Sequence, residues 1–134
     1  MKQSLHILCV DDEEDIQDVV KLCLEMDGGF TIYTCAGGAE ALDFLEHTRP
    51  DLILLDVMMP SMDGPATFAA MKERGIDVPV IFMTARVRGA EVSQYLDMGA
   101  AGVVPKPFDP VTLAGEIRQL WSASGQAAKP GIIV

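Results

Sequence analysis

Short apolar runs alternate with stretches of helical period along most of the chain. The run from Leu5 to Val10, closed by acidic residues, reads as a buried strand. Ile16, Val19, Val20 and Cys23 then fall at the i, i+3, i+4, i+7 spacing of a helix stripe, and Gly28-Gly29 stops it. Phe30 to Cys35 is β-branched and aromatic, a second strand. Ala41, Leu42 and Leu45 mark a second helix that ends before Arg49-Pro50. Leu52 to Leu55 is continuously apolar, as in a strand covered on both faces. A turn at Pro60 to Gly64 leads to a third helix carrying Phe68 and Met71, closed near Gly75. Val78 to Met83 reads as a fourth strand, and Val92, Tyr95 and Leu96 as a fourth helix ending at Gly99. Gly102 to Val104 is a short fifth strand. Asp109-Pro110 supplies an N-cap and a first-position proline for a last helix bearing Leu113, Ile117, Leu120 and Trp121.

A strand followed by a helix, five times over, implies a parallel sheet with helices on both faces. At 134 residues and 14.4 kDa the chain is the size of one domain. Surface scaling gives a folded area near ~6,800 Å² against ~21,000 Å² unfolded, enough burial for a core without staples. The stretch from Ser122 to Val134 shows no period and reads as a tail or linker.

Charge narrows the field of partners. Twenty acidic against ten basic residues give a formal charge of -10. Such a surface repels phosphate backbones and anionic lipid, so neither nucleic acid nor membrane is expected as a partner of this chain alone. No apolar run approaches the ~20 residues of a membrane span, and no secretory signal precedes the first strand, so the expected location is cytoplasmic. Cys9, Cys23 and Cys35 lie in apolar stretches without a CxxC pair and read as buried, reduced thiols.

In an open α/β sheet, ligands bind beyond the carboxyl ends of the strands. Strand one there carries Asp11-Asp12, strand three Asp56, strand four Thr84-Ala85 and strand five Pro105-Lys106-Pro107. Taken alone, Asp11-Asp12 is better explained by capping than by metal binding. Together, three carboxylates, a hydroxyl and an ammonium at matching strand ends form a crevice with specific chemistry. Carboxylates a few ångströms apart raise one another's pKa unless a cation relieves them, and Mg²⁺ is the usual partner of carboxylates and phosphate oxygens. An aspartate beside a metal and a fixed lysine suits phosphoryl transfer onto the carboxylate, which is mostly positioning and charge stabilisation.

These residues, with Leu8-Cys9-Val10 before Asp11, Asp56 to Pro60, Met62-Asp63-Gly64 and Lys106-Pro107-Phe108, resemble the receiver domain of bacterial two-component response regulators. The likeness covers about residues 4–121. It implies one flavodoxin-like (βα)5 domain over residues 1–122, a doubly wound five-stranded parallel sheet of strand order 2-1-3-4-5, with 123–134 a tail or linker fragment. It also implies roles. Asp56 matches the phosphoacceptor. Asp12 matches the direct Mg²⁺ (or Mn²⁺) ligand, Asp11 the acid that holds the metal mostly through water, and Met58 would offer its backbone carbonyl. Thr84 matches the switch hydroxyl and Lys106 the lysine that pairs with the phosphoryl group, and the bond to Pro107 is expected to be cis. Residues matching Met58 and Arg86 flank the path of the attacking water in this family. Methionine bonds weakly to water and arginine can donate but not accept, so both favour a long-lived phosphoaspartate. The implied partners are a sensor histidine kinase or histidine phosphotransfer protein, a downstream target or fused output domain, and a phosphorylation-dependent second copy. The surface expected to switch is that of the fourth helix, fifth strand and fifth helix. No catalysis is expected beyond the domain's own phosphorylation and dephosphorylation.

The chain departs from the family at Val103, where a tyrosine or phenylalanine is usual, so the common rotation of an aromatic ring cannot occur. Other readings fit less well. A phosphatase of the haloacid-dehalogenase type wants a second aspartate where Met58 stands. A flavodoxin-like cofactor carrier wants a phosphate loop where Asp11 to Glu14 would repel phosphate. A degenerate receiver would lack some of the five site residues, and here all are present.

Overall fold

The computed structural model describes residues 4–85 and 89–124. Within them β1 (Leu5–Val10), α1 (Glu14–Asp27), β2 (Phe30–Cys35), α2 (Gly38–His47) and β3 (Leu52–Asp56) follow in turn. α3 (Gly64–Glu73), β4 (Val80–Thr84), α4 (Gly89–Asp97), β5 (Gly102–Pro105) and α5 (Leu113–Ala123) complete the chain of elements. The strands pair in parallel in the order β2-β1-β3-β4-β5, the flavodoxin-like arrangement that the alternation and the resemblance predict. Among the described residues, no helix is long and apolar enough to cross a membrane.

Side chains of a strand alternate between faces, and both faces of the inner strands are covered. Ile53, Leu55, Val80 and Phe82 enter one core with Leu42, Leu45, Phe68 and Met71 of α2 and α3. Leu52, Leu54, Ile81 and Met83 enter the other with Val20 and Leu24 of α1 and Leu113 and Ile117 of α5. That is why β3 and β4 are apolar at consecutive positions. The only polar residues in them are Asp56 and Thr84, at their last positions.

The helices hold unequally. The buried face of α1 runs through Val20 and Leu24, with Ile16 packed beside them; Val19 and Cys23 sit at its margin, so Cys23 is only partly buried. Cys9 and Cys35 are buried, and all three thiols are free. α4 has no fully buried residue.

Several boundaries differ from the sequence reading. β4 begins at Val80 rather than Val78, because Pro79 lacks the N–H that a ladder position donates. β3 extends to Asp56 and β5 to Pro105. Regular α5 begins at Leu113 rather than at Pro110. Asp109 does cap, its Oδ1 accepting from the Val111 N–H at 2.9 Å, but it caps a turn that leads into the helix. At the other end α5 runs on through Ser122 and Ala123, part of the stretch read as tail, because serine and alanine tolerate a helix that Leu120 and Trp121 anchor to the core. Residues 125–134 lie outside the described residues.

The entry to α3 bears directly on the site. Asp63 Oδ1 accepts from the Ala66 N–H at 2.9 Å, Pro65 occupies the first turn, and the Gly64 N–H donates to the Val57 carbonyl at 2.9 Å. This folds α3 back against the end of β3. A β-carbon on Gly64 would lie 2.5 Å from the Asp56 carbonyl oxygen and 2.9 Å from the Val57 Cα. Gly64→Ala is therefore expected to lower stability by about 1–3 kcal/mol, as overpacking against backbone does. Urea unfolding of the two proteins checks this, and equal midpoints would show that the α3 entry can yield.

Candidate functional site

Strand register brings the chemistry together. Val10 pairs with Leu55, so Asp11, one step on, comes beside Asp56. Asp56 pairs with Met83 and Thr84 with Pro105, so Thr84 and Lys106 both rise at the same edge of the sheet. Asp11, Asp56 and Thr84 are buried, and Asp12 is exposed. The Lys106-Pro107 bond is cis.

Lys106 Nζ lies 3.0 Å from Asp11 Oδ2 and 3.3 Å from Asp56 Oδ1. It also lies 3.4 Å from Glu13 Oε1, a partner that the sequence reading missed. No motif distinguished Glu13 from its acidic neighbours; only the turn after β1 aims it at Lys106. Asp11 is fixed from its other oxygen, Oδ1, by the Glu13 backbone N–H at 2.8 Å. Gln17 of α1 donates to the Asp11 carbonyl at 2.7 Å and ties the helix to the site.

Burial raises the Asp56 pKa to about 6; the Asp11 charge adds to this, and Lys106 together with the Met58 backbone N–H opposes it. For Lys106, burial disfavours the charged form, but the hydrogen bond and charge of Asp11, then those of Asp56, outweigh it and raise its pKa. Burial, with help from Asp11 and Asp56, pushes the Cys9 thiol up to about 12, so it is no nucleophile here.

Asp11, Asp12 and Asp56 each offer an oxygen within 4.8 Å of the others. Three carboxylate oxygens, two on buried residues beside a single ammonium, fit a hard divalent cation such as Mg²⁺ or Mn²⁺. Of the remaining predicted residues, Met58 follows β3 with its side chain 76% exposed, pointing away from the core. Val103 is half-buried on β5 and packs against the core on the α3 side, in register with Phe82, which Phe68 and Tyr95 flank with ring centroids at 5.6 and 4.9 Å. Arg86 lies outside the described residues.

Residues 7–118 match the family described as response regulator receiver domain. The transcriptional regulatory protein CseB of Streptomyces avermitilis is 35% identical over 130 residues, 97% of this chain and 54% of that protein. The chain thus spans about half the length of the curated relatives it matches. Among solved structures, chemotaxis response regulator CheY4 of Vibrio cholerae is 30% identical with a TM-score of 0.81, covering 88% of this chain and 99% of that one. The signal receiver domain of a signal transduction histidine kinase from Syntrophus aciditrophicus is 35% identical with a TM-score of 0.75, covering 92% of this chain and 94% of that one.

The raised Asp56 pKa makes a pH prediction for the metal-free protein. Its folded pKa of about 6 exceeds the ordinary 3.8, so between those values the folded state binds more protons than the unfolded state. Stability from this group is therefore greatest below pH 4 and is lost as pH rises through 6. Lys106 stays charged throughout that window and contributes no slope there. In a metal chelator, the stability of the wild type relative to Asp56→Asn is expected to fall between pH 4 and pH 7. Parallel urea midpoints across that range would show that Asp56 ionises normally.

Proposed function

The chain belongs to the response regulator receiver domain family of two-component signalling, and from that premise we propose that Asp56 accepts a phosphoryl group from the phosphohistidine of a sensor histidine kinase or histidine phosphotransfer protein. One observation carries the reading. A buried aspartate closes the central strand within 3.3 Å of the Lys106 ammonium, with Asp11 and Asp12 beside it.

An Asp56 oxygen attacks phosphorus in line, the P–N bond of the donor breaks, and the imidazole leaves with the electron pair and takes up a proton. Asp11, Asp12 and Asp56, with the Met58 carbonyl, would hold Mg²⁺. That ion offsets charge on the transferring oxygens when bound. Asp56 must be ionised to attack, and Lys106 favours that form. The lysine then donates to a phosphoryl oxygen, and the Thr84 hydroxyl, drawn toward the group, binds another.

Thr84 closes β4, and the next element is α4, which buries no residue fully. A helix held so lightly moves at low cost, so it is the element that a shift of Thr84 would displace. The surface of α4, β5 and α5 would then present a changed face to a target, a fused output domain or a second copy. Val103 has no ring to follow the threonine, so backbone movement of α4 takes the place of a rotamer switch.

With Mg²⁺ and acetyl phosphate the chain is expected to gain one phosphate by mass, and Asp56→Asn none. Full labelling of Asp56→Asn would remove the assignment.

A second outcome concerns lifetime. The exposed Met58 side chain offers no strong hydrogen bond to a water behind phosphorus, whereas an amide would. Once the donor is removed, the phosphorylated Met58→Asn protein is expected to decay several-fold faster than the wild type. Equal or slower decay would show that Met58 does not restrain hydrolysis.

A further inference from the structure

We infer that Glu13 is a positioning residue that competes with the incoming phosphoryl group for Lys106 and so lowers the affinity of the site for it. The inference rests on the phosphoacceptor reading above. A lysine ammonium has three N–H donors and no acceptor. Here three carboxylates surround it, from Asp11 at 3.0 Å, Asp56 at 3.3 Å and Glu13 at 3.4 Å. Asp11 and Glu13 accept hydrogen bonds from the ammonium and Asp56 pairs with it, so a phosphoryl oxygen that binds Lys106 competes with these carboxylates.

The three partners do not let go equally. Asp11 and Asp56 are buried, and as the proposed metal ligands, with Asp56 also the acceptor, they stay fixed in the site. Asp11 is also held in place by the Glu13 backbone N–H. The Glu13 side chain is 63% exposed, against 14% for Lys106, so its carboxylate rehydrates at once when released. Glu13 is therefore the partner that yields. Its bond also draws Lys106 toward the solvent side, and its charge opposes an arriving anion. Because the backbone N–H serves Asp11 while only the side chain serves Lys106, substituting the side chain leaves the Asp11 bond intact.

Beryllofluoride, a stand-in for the phosphoryl group, tests this at saturating Mg²⁺, where metal occupancy is held constant. Glu13→Gln is expected to bind it roughly two- to fivefold more tightly than the wild type, the range of a partly exposed ion pair. Glu13→Asp keeps the charge but is one methylene shorter, and should show most of the same gain. Glu14→Gln removes a neighbouring charge with no contact to Lys106 and should show none. In a Lys106→Met background, Glu13→Gln should change nothing. Four outcomes would overturn the inference: unchanged or weaker binding by Glu13→Gln, wild-type affinity in Glu13→Asp, an equal gain in Glu14→Gln, or a gain that survives in Lys106→Met. If the wild type itself binds no beryllofluoride while Mg²⁺ is saturating, the phosphoacceptor reading falls and takes this one with it.

Discussion

The placement of Lys106 is the constraint on which the site depends. Two buried carboxylates side by side are tolerable only with positive charge between them. One ammonium reaches both, yet it is a single charge against Asp11, Asp56 and the nearby Asp12. The remaining excess of negative charge is what makes the cleft fit a divalent cation. Burial first, and the charge of Asp11 second, make Asp56 hold its proton more tightly than an exposed aspartate. The same imbalance that disfavours the metal-free folded state makes the site receptive to a cation, an example of stability yielded at a functional site.

Everything that brings those groups into one place is backbone geometry. The parallel ladder between β1 and β3 sets Asp11 beside Asp56, and the ladder between β4 and β5 sets Lys106 beyond Thr84. Two packed cores hold the sheet on either side, so the strand ends cannot slide relative to one another. Gly64 lets α3 close against the β3 end without a side chain in the way. The rigid part of the molecule thus serves the chemistry, and the lightly buried α4 lies next in the chain after Thr84.

The two partners of Lys106 that belong to the buried site and the one that belongs to the solvent do different work. Asp11 and Asp56 define where the ammonium sits. Glu13 sets how readily it leaves one ligand for another. A charged side chain half in water is a weak anchor, and weakness is what a competing contact requires if the site is to turn over.

The sequence by itself determined the sheet and which side chains stand at its strand ends. Consecutive apolar residues in Leu52 to Leu55 read as a strand covered on both faces, and strand-helix alternation five times over implies a parallel sheet with ligands at its carboxyl edge. Asp11, Asp12, Asp56, Thr84 and Lys106 were legible for that reason, because position along a strand is a one-dimensional property. Tertiary structure decided what depends on distance across the chain. It placed Val19 and Cys23 at the margin of α1 rather than in the core, since the angle at which α1 lies on the sheet selects among the stripe's residues. It let α5 run past Ser122, because Leu120 and Trp121 find a core to rest on. And it chose Glu13, among five consecutive acidic residues, as the third partner of a lysine more than ninety positions away. That choice depends on the direction of one turn after β1, and no local pattern of residue types encodes a direction.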